Sequence, residues 1–387
     1  MDMKKTAILS VSLLTIMTNA AMAPMLGLIS QSFPQAGPTL IKQVMTIPSL
    51  MIIIFSIISG LLVRFLTKKN VLAIGLIIYL AGTFLAAGTN SIGVLILYRA
   101  LMGAGAGLIV PLASSLITDF YSGEERAKMM GYSSFTSYAG AALGPLLAGW
   151  IARERWQNAF YIYLTALFVF LVTMLFIPNK PVQKKEIKEN QKLPLSTPVL
   201  LMGLLACFIY VIHYLVPTDV SFLVQKLQNP NPSHAALLLA IEVGSAAGAG
   251  VLFSHATHKL NIRAFPLGFG SMALAFITIF FAKTFPVMML GMMFSGFGMG
   301  TLRPSVIYRT SQVNKSRSMT SAFALINSGF SLGQFISPFF YFGVAQLVND
   351  GLFSANYLSG ALIWLTAIII SSILAFSRKP HTSEPSI

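Results

Sequence analysis

Hydrophobic and polar residues alternate along this 387-residue chain in long blocks rather than at single positions. Twelve apolar blocks reach roughly the 20 residues that a helix needs to cross a bilayer. They cover residues 6–29, 41–63, 70–88, 92–118, 129–151, 158–177, 198–222, 235–254, 263–282, 285–308, 320–345 and 354–376. The pattern predicts an all-α membrane protein with twelve transmembrane helices. The first block is longer than the apolar region of a signal peptide and is expected to remain as the first span.

A single long polar stretch divides these blocks into two sets of six. Residues 179–197 hold five Lys, two Glu and two Pro and show no apolar periodicity. Such a composition is typical of a flexible linker, which we place in the cytoplasm. The predicted organisation is a six-helix half at 1–178, the linker, a second six-helix half at 198–377, and a cytoplasmic tail at 378–387.

The two halves repeat a pattern of small residues. G-x-G-x-G-x3-P at residues 103–111 returns at 296–304, and G-x3-G at 140–144 returns at 329–333. A parallel repeat of two six-helix halves predicts a substrate site near mid-membrane and alternating access by rocking of the halves. No strand is predicted before the first of these glycine triplets, so it indicates close helix packing rather than a dinucleotide-binding loop.

Composition and charge agree with a membrane protein. Hydrophobic residues make up 55% of the chain and charged residues 10%, with mean hydropathy +0.76, whereas soluble domains are about 25% charged. The net charge of +15 does not indicate nucleic-acid binding, because the basic residues lie in short loops. With both termini in the cytoplasm, 19 of the 26 Lys and Arg fall in cytoplasmic segments. This bias predicts a multi-pass protein of the cytoplasmic membrane with both termini inside.

Candidate chemistry for an enzyme is sparse. The single Cys207 excludes a disulfide within the chain, no Cys/His cluster has zinc spacing, and no P-loop is present. A membrane enzyme would need a nucleophile–base or metal set within the spans, and the intramembrane acids and His213 do not form one by spacing. A channel would not need the twofold repeat. We therefore expect no enzyme activity, cofactor or metal.

The fifth block contains four glycines and a proline, residue types that are unfavourable inside a helix of a soluble protein: Gly131, Gly140, Gly144, Pro145 and Gly149. A glycine costs about 1 kcal/mol in a helix interior and a proline about 3 kcal/mol. Membrane helices tolerate both, because neighbouring helices satisfy the backbone groups that are freed. Gly140 and Gly144 predict a face for close helix approach, and Pro145 predicts a kink.

This spacing resembles the fifth-helix antiporter motif of the drug:proton antiporters in the major facilitator superfamily, with Ala148 where that motif usually has Gly. Two other stretches resemble superfamily signatures. Arg99 and Gly103 fit the R-x3-G-x-G motif of the fourth helix, and residues 60–72 fit the loop between the second and third helices. The resemblance implies the major facilitator fold and a buried arginine involved in proton coupling.

The loop signature departs from the superfamily at its acidic position, which is Arg64 here, although Gly60 and Lys69 fit. The usual cytoplasmic latch cannot form with this residue. The next cytoplasmic loop contains acids that could form a swapped pair with Arg64, and the alternative is a solvated charged loop in which pairs contribute little. The candidate residues in that loop are Asp119, Glu124, Glu125 and Arg126.

Two acids fall inside the apolar blocks, Glu242 and Asp219. Glu242 lies roughly 10 Å deep at 1.5 Å per residue, and a carboxylate at such depth is a functional candidate by default. We predict that it carries a proton or binds a cationic substrate; the alternative is a structural pair with Arg303 or Arg99. Asp219 is predicted to be an outer proton entry point or an interface-solvated carboxylate.

Four further polar residues are candidate substrate contacts: Asn19, His213, Arg303 and Asn327. His213 is alternatively a satisfied core histidine, and the two asparagines are alternatively polar links between helices. Arg303 immediately precedes a proline, so it is expected at a locally broken helix whose free carbonyls meet it. Its alternative is snorkelling to the cytoplasmic face.

The sequence as a whole predicts a proton-coupled secondary active exporter, an antiporter of small amphipathic compounds or drugs, working by alternating access. Glu242 and Asp219 would carry the proton and Arg99 would modulate it. The alternative is a dedicated exporter or flippase of an anionic metabolite or lipid-linked sugar, bound by Arg99 and Arg303. Expected partners are protons, a small-molecule substrate and the lipid bilayer, and the chain is expected to be a monomer. The predicted conformational residues are Gly60, Arg64, Lys69, Asp119, Arg126, Gly103, Gly107, Gly131, Gly140, Gly144, Pro145 and Gly149.

Overall fold

Helices account for nearly all of the part of the chain that the structure describes. This computed structural model describes residues 3–179, 196–226, 231–260, 264–313, 319–348 and 354–377, and no strand occurs in these ranges. Each of the twelve apolar blocks is mainly helical over its described residues. The all-α prediction is therefore confirmed. Most of the predicted linker and the predicted tail lie outside the described residues.

Fourteen α-helices are present in the described ranges. Those before the predicted linker are α1 (Met3–Ala20), α2 (Leu26–Ser32), α3 (Pro38–Leu62), α4 (Lys68–Ala87), α5 (Ile92–Phe120), α6 (Gly123–Ile151) and α7 (Thr165–Phe176). Those after it are α8 (Thr197–His213), α9 (Leu215–Gln225), α10 (Pro232–Leu260), α11 (Ala264–Phe280), α12 (Phe285–Val313), α13 (Met319–Val348) and α14 (Ser354–Ser377). Short 3₁₀ segments at Ala23–Met25 and Trp156–Leu164 lead into α2 and α7.

Eight helical stretches in the described residues are long and apolar enough to cross a membrane. The bent pair formed by α1 and α2 makes nine if it is one span. The helix α11, at 17 residues, is apolar but shorter. The protein is thus a multi-pass membrane protein by length and composition of its helices.

Two apolar blocks that were predicted as single spans are broken, each by a proline. A proline has no N–H to donate to the carbonyl four residues earlier. In the first block α1 ends at Ala20, four residues before Pro24, and in the seventh block α8 ends at His213, four residues before Pro217. Pro24 and Pro217 are 193 positions apart, the same offset as between the two glycine triplets, so the helix breaks belong to the repeat of the two halves.

Other prolines lie within helices that continue. The break expected at Arg303 is wrong, because α12 is one helix from Phe285 to Val313 with Pro304 inside it. The helix α6 likewise continues through Pro145. Membrane helices tolerate an internal proline in this way.

The glycine triplet of α5 lies where two neighbouring helices approach closely. A Cβ added to Gly103 would overlap Pro48 of α3, and one added to Gly107 would overlap Phe55 of the same helix. A Cβ at Gly105 would instead overlap the backbone of Tyr79 in α4. The predicted packing role of this triplet is confirmed.

The second half repeats this arrangement. A Cβ at Gly296 or Gly300 of α12 would overlap the backbone of α10, at Glu242 and Ala246 respectively. A Cβ at Gly298 would overlap Met272 of α11. The two triplets thus hold equivalent helices, α3 and α4 in one half and α10 and α11 in the other.

The glycine pairs of α6 and α13 show the same correspondence. Gly140 and Gly144 lie against Leu13 and Met17 of α1. The corresponding pair in α13, at residues 329 and 333, lies against Gly203 and Cys207 of α8. Each pair lets its helix approach the broken span of its own half.

Contacts between the halves involve a few helices. The helix α3 packs against α13, α6 packs against α10, and α2 packs against α9. Gly149, in the last turn of α6, is the antiporter-motif residue that reaches across, since a Cβ there would contact Ala236 of α10. We call the end of the molecule that holds the loop between α2 and α3, opposite Met3, the outer end. Gly149 and Ala236 meet there.

The close approach of α13 to α8 can be tested with two glycines on one helix. Gly329→Ala would place a methyl group against the backbone of Gly203, whereas Gly343→Ala would place it in open space. Overpacking costs about 1–3 kcal/mol, so Gly329→Ala should lower the thermal unfolding temperature in detergent. Gly343→Ala should leave it unchanged or raise it, because Ala favours a helix. Equal melting temperatures for the two variants would contradict the packing described here.

Candidate transport site

Arg99 of α5 is fully buried and is held by backbone carbonyls rather than by an acid. Its Nε donates to the carbonyl of Val44, 2.8 Å away, and its Nη2 donates to the carbonyl of Thr18, also 2.8 Å away. The guanidinium lies 5.6 Å from the ring centroid of Tyr163. Over the described ranges, no carboxylate forms an ion pair with it.

Both carbonyls are available to Arg99 because each lacks its usual helical N–H donor. Val44 precedes Pro48 by four residues, so the carbonyl of Val44 has no helical N–H to accept. Thr18 lies four residues before Met22, whose N–H bonds to Asn19 instead. Arg99 therefore satisfies one carbonyl in α3 and one at the break after α1, and it joins three helices.

Two tyrosines complete this buried cluster. The Tyr163 hydroxyl donates to the same Thr18 carbonyl at 3.0 Å, and the Thr18 hydroxyl donates to the Tyr79 hydroxyl at 3.2 Å. The Tyr79 and Tyr163 rings meet edge to face with centroids 6.1 Å apart. The first half is thus organised around a cation whose hydrogen bonds fix the broken span.

Glu242 of α10 is the buried acid at the centre of the second half. It is 7% exposed, and its Oε1 accepts a hydrogen bond of 2.7 Å from the Ser295 hydroxyl of α12. The His213 Nε2 lies 3.7 Å from the same oxygen. Neither Arg303 nor Arg99 forms an ion pair with Glu242, so the structural pair offered as an alternative is absent from the described residues.

The packing of α10 and α12 explains why Glu242 lies there. Gly296 allows α12 to approach the backbone of Glu242, and the adjacent Ser295 then reaches the carboxylate. His213 is the last residue of α8, at the break caused by Pro217. Its Nδ1 is buried and has no hydrogen-bond partner among the described residues. The described residues therefore leave one ring nitrogen of His213 open to a further partner.

Arg303 lies beside an aromatic group close to this acid. Its guanidinium is 5.3 Å from the ring centroid of Phe330, and the Tyr210 ring is 4.7 Å from that of Phe330. Tyr210 also meets His213 edge to face at 5.9 Å. The predicted candidates Arg303, His213 and Glu242 therefore belong to one polar and aromatic cluster, to which sequence reasoning had not assigned Tyr210 or Phe330.

A second polar cluster joins the two halves directly. Asn19 donates to the Ser49 hydroxyl at 2.7 Å and to the Gln334 Oε1 at 3.3 Å, and the Ser49 hydroxyl donates to Gln334 at 2.6 Å. Asn19 and Ser49 belong to the first half and Gln334 to α13 of the second. Asn19 had been predicted as a cavity or linking residue. The signal for Gln334 was a side-chain amide directly after Gly333 in an apolar block.

Asp219 of α9 forms a buried ion pair with Lys42 of α3, across the two halves. The side chain of Asp219 is fully buried and that of Lys42 is 5% exposed. Lys42 lies near the start of its apolar block, in the second turn of α3. Its position after only one apolar residue of the block concealed its burial.

Comparison with known proteins places the chain in a family. A model of the Major Facilitator Superfamily matches residues 8–338. The chain belongs to the Major Facilitator Superfamily. Members of this superfamily are transporters and not enzymes, in agreement with the expectation from sequence.

Two curated relatives of this superfamily chain are named for drug resistance or drug transport. It is 34% identical over 121 residues to the multidrug transporter protein MdtP of Bacillus subtilis, which covers 31% of this chain and 22% of that protein. It is 32% identical over 131 residues to the quinolone resistance protein NorA of Staphylococcus aureus, which covers 33% of this chain and 34% of that protein. The matched segment spans about a fifth to a third of these relatives.

Solved structures of other transporters share the fold. A bacterial homologue of the human lysosomal transporter Spinster, in an inward-facing and occupied conformation, superposes with a TM-score of 0.78 at 14% identity and covers 99% of this chain and 98% of that one. A D-xylose–proton symporter gives a TM-score of 0.75 at 17% identity, covering 94% and 96%. These likenesses establish the fold alone.

The loop signature of this superfamily member pairs differently from the prediction. Asp119 pairs with Lys68, whose Nζ lies 2.6 Å from Oδ2, and the Lys69 Nζ donates to the carbonyl of Met174 at 2.7 Å. Arg64 is exposed and forms no ion pair in the described part of the chain. Arg64 therefore does not form the predicted swapped pair, because the carboxylate of Asp119 pairs with Lys68 instead.

The remaining acids and polar candidates of the superfamily member lie apart from the buried clusters. Glu125 pairs with Lys5 at 2.8 Å and Glu124 with Lys128 at 2.8 Å, all with exposed or half-exposed side chains. The exposed Asn327 donates within its own helix, to the Phe323 carbonyl at 3.0 Å. Two conformational candidates, Gly60 and Gly131, have open space beside them, and Arg126 is exposed.

The carbonyl-binding role of Arg99 predicts a loss of stability on substitution. Arg99→Gln would leave at least one buried carbonyl without a donor, which costs about 1–3 kcal/mol for each unsatisfied group. The thermal unfolding temperature in detergent should fall clearly. Arg64→Gln removes the same charge at an exposed position and should leave that temperature nearly unchanged. Matching temperatures for the two variants would rule out the role described for Arg99.

Proposed function

We propose that the protein is a proton-coupled antiporter that exports small amphipathic compounds, including cationic drugs, by alternating access. The observation that carries this proposal is Glu242, a buried carboxylate bonded to Ser295 and close to His213, with no Lys or Arg paired to it among the described residues. An unpaired acid at this depth is costly as an anion. A proton or a cationic substrate would relieve that cost, and the two would compete for one oxygen.

The surroundings of Glu242 fit such a competition. In the ionised state the carboxylate accepts the Ser295 hydroxyl, and His213 lies 3.7 Å away with one ring nitrogen unpartnered. Tyr210 and Phe330 supply aromatic surface beside it. An amphipathic cation could therefore place its charge near the acid and its apolar part on these rings.

The relatives support the export of drugs without assigning it. MdtP is named a multidrug transporter and NorA a quinolone resistance protein, and both match over a limited segment. By extension we place this chain in the cytoplasmic membrane with both termini inside, as the distribution of Lys and Arg favours. We propose that one polypeptide chain is the working unit.

The proposal is tested by substrate-induced proton release from liposomes that hold an inside-acid pH gradient. The panel contains lipophilic cations, neutral drugs and anionic amphiphiles, and the proteins are wild type, Glu242→Gln and Glu154→Gln. Cations should dissipate the gradient through wild type and through the exposed control Glu154→Gln. The rate of dissipation through Glu242→Gln should be at least about tenfold lower, because this variant can no longer release a proton.

Dissipation by cations that persists undiminished in Glu242→Gln would exclude Glu242 as the coupling acid. A response to anions alone would favour the second candidate, an exporter or flippase of an anionic metabolite or lipid-linked sugar. Arg303 is the observation that favours this candidate, since its guanidinium lies over Phe330 beside Tyr210 and is not paired with an acid in the described ranges. Arg99 is not available for such a role, because two carbonyls occupy it.

A further inference from the structure

We propose that Lys42 and Asp219 form a latch that holds the outer ends of the two halves together, and that this ion pair separates when the protein opens outward. The proposal rests on the alternating access of the proposed function. It does not depend on the substrate or on which acid carries the proton. It assigns Lys42 a positioning role that the sequence did not indicate.

The burial of the pair is the first observation. Lys42 lies in the second turn of α3 and Asp219 in the middle of α9, so the pair bridges the halves at the outer end. Their side chains are 5% and 0% exposed. Apart from Lys42, the carboxylate has no hydrogen-bond partner among the described residues. Lys226, directly after α9, contributes a further positive charge that acts on Asp219.

A second polar contact belongs to the same interface. The Ser221 hydroxyl, two residues after Asp219, donates to the Pro24 carbonyl at 2.9 Å and accepts the Gly27 N–H at 2.7 Å. A Cβ at Gly27 would overlap the side chains of Ser221 and Gln225. The broken first span is thus docked closely on α9, two residues from the ion pair.

The physics of a buried ion pair sets what each substitution should do. Removing one partner leaves the other charge buried and uncompensated, which is strongly unfavourable. Replacing both partners by apolar side chains of similar volume is often neutral or stabilising. Opening of the outer end would admit water, which hydrates a lone charge. A single substitution should therefore favour the outward-open state, and the double substitution should restore closure.

The experiment measures the opening through a cysteine placed one turn below the latch. Thr46, four residues after Lys42 on α3, is fully buried, and its hydroxyl has no partner in the described structure. Thr46→Cys is introduced into a Cys207→Ala background, and its rate of reaction with a bulky maleimide is followed in detergent. The variants are Lys42→Met, Asp219→Leu and the double Lys42→Met/Asp219→Leu. No substrate and no pH gradient are present.

Two reference cysteines control the measurement. Gln35→Cys lies in the exposed loop between α2 and α3 and should react equally fast in every variant. Ala166→Cys is fully buried within the first half, away from the interface, and should react only if the fold loosens.

We expect each single variant to react at Thr46→Cys about tenfold faster or more than the parent, and the double variant to return close to the parent rate. Unchanged rates in both single variants would overturn the latch, as would a double variant as reactive as the singles. Faster reaction at Ala166→Cys as well as at Thr46→Cys would show general unfolding and would also count against it. Because the assay involves no export, its failure leaves the test of Glu242 unaffected.

Discussion

A carbonyl that loses its helical donor inside a membrane protein must find another donor within the protein. Prolines create this demand at Val44 and at the breaks that end α1 and α8. Arg99 and Tyr163 provide the missing donors in the first half, where both donate to the Thr18 carbonyl. In the second half the Tyr341 hydroxyl donates to the Ile212 carbonyl at 2.9 Å, next to the break after α8. A proline removes the helical donor of the Val44 carbonyl, and the Thr18 and Ile212 carbonyls lie close to helix breaks, so these interruptions set where the fixed donors lie.

Most of the architecture could be predicted from the sequence, because the features that determine it act locally. Span length, the glycine triplets and the proline repeat each act through the residues of one helix and the backbone of its neighbour. The breaks at Pro24 and Pro217 could have been predicted by the same rule that was applied to Pro145, but the long apolar blocks concealed them. The interruption expected at Pro304 was wrong, because packing of α12 against α10 and α11 maintains the helix.

The site was harder to predict, because its residues are distant in sequence and come together only in the folded protein. Depth marked Glu242, Asp219 and Arg99 as unusual, yet nothing along the chain named their partners. Ser295 was hidden as a small residue beside a glycine, and Lys42 as one more basic residue near a loop. Gln334 joins Asn19 across 315 positions of sequence, a separation at which pattern carries no information. The hydrogen-bond and ion-pair partners determine whether a buried charged residue is structural or can exchange a proton. The roles of Glu242, Asp219 and Arg99 could therefore not be ranked from sequence.

The correspondence between the halves has one exception with a physical consequence. Pro48 faces Gly103 in the first half, and Glu242 faces Gly296 in the second, at the same register of the same helix pair. Both contacts are made by backbone atoms, but the residue at this position is a proline in the first half and an ionisable glutamate in the second. A change in the protonation of Glu242 would therefore alter a side chain that has no equivalent at this position of the first half. The first half would then act as a fixed scaffold, and the change in protonation energy during each transport cycle would fall on the second half.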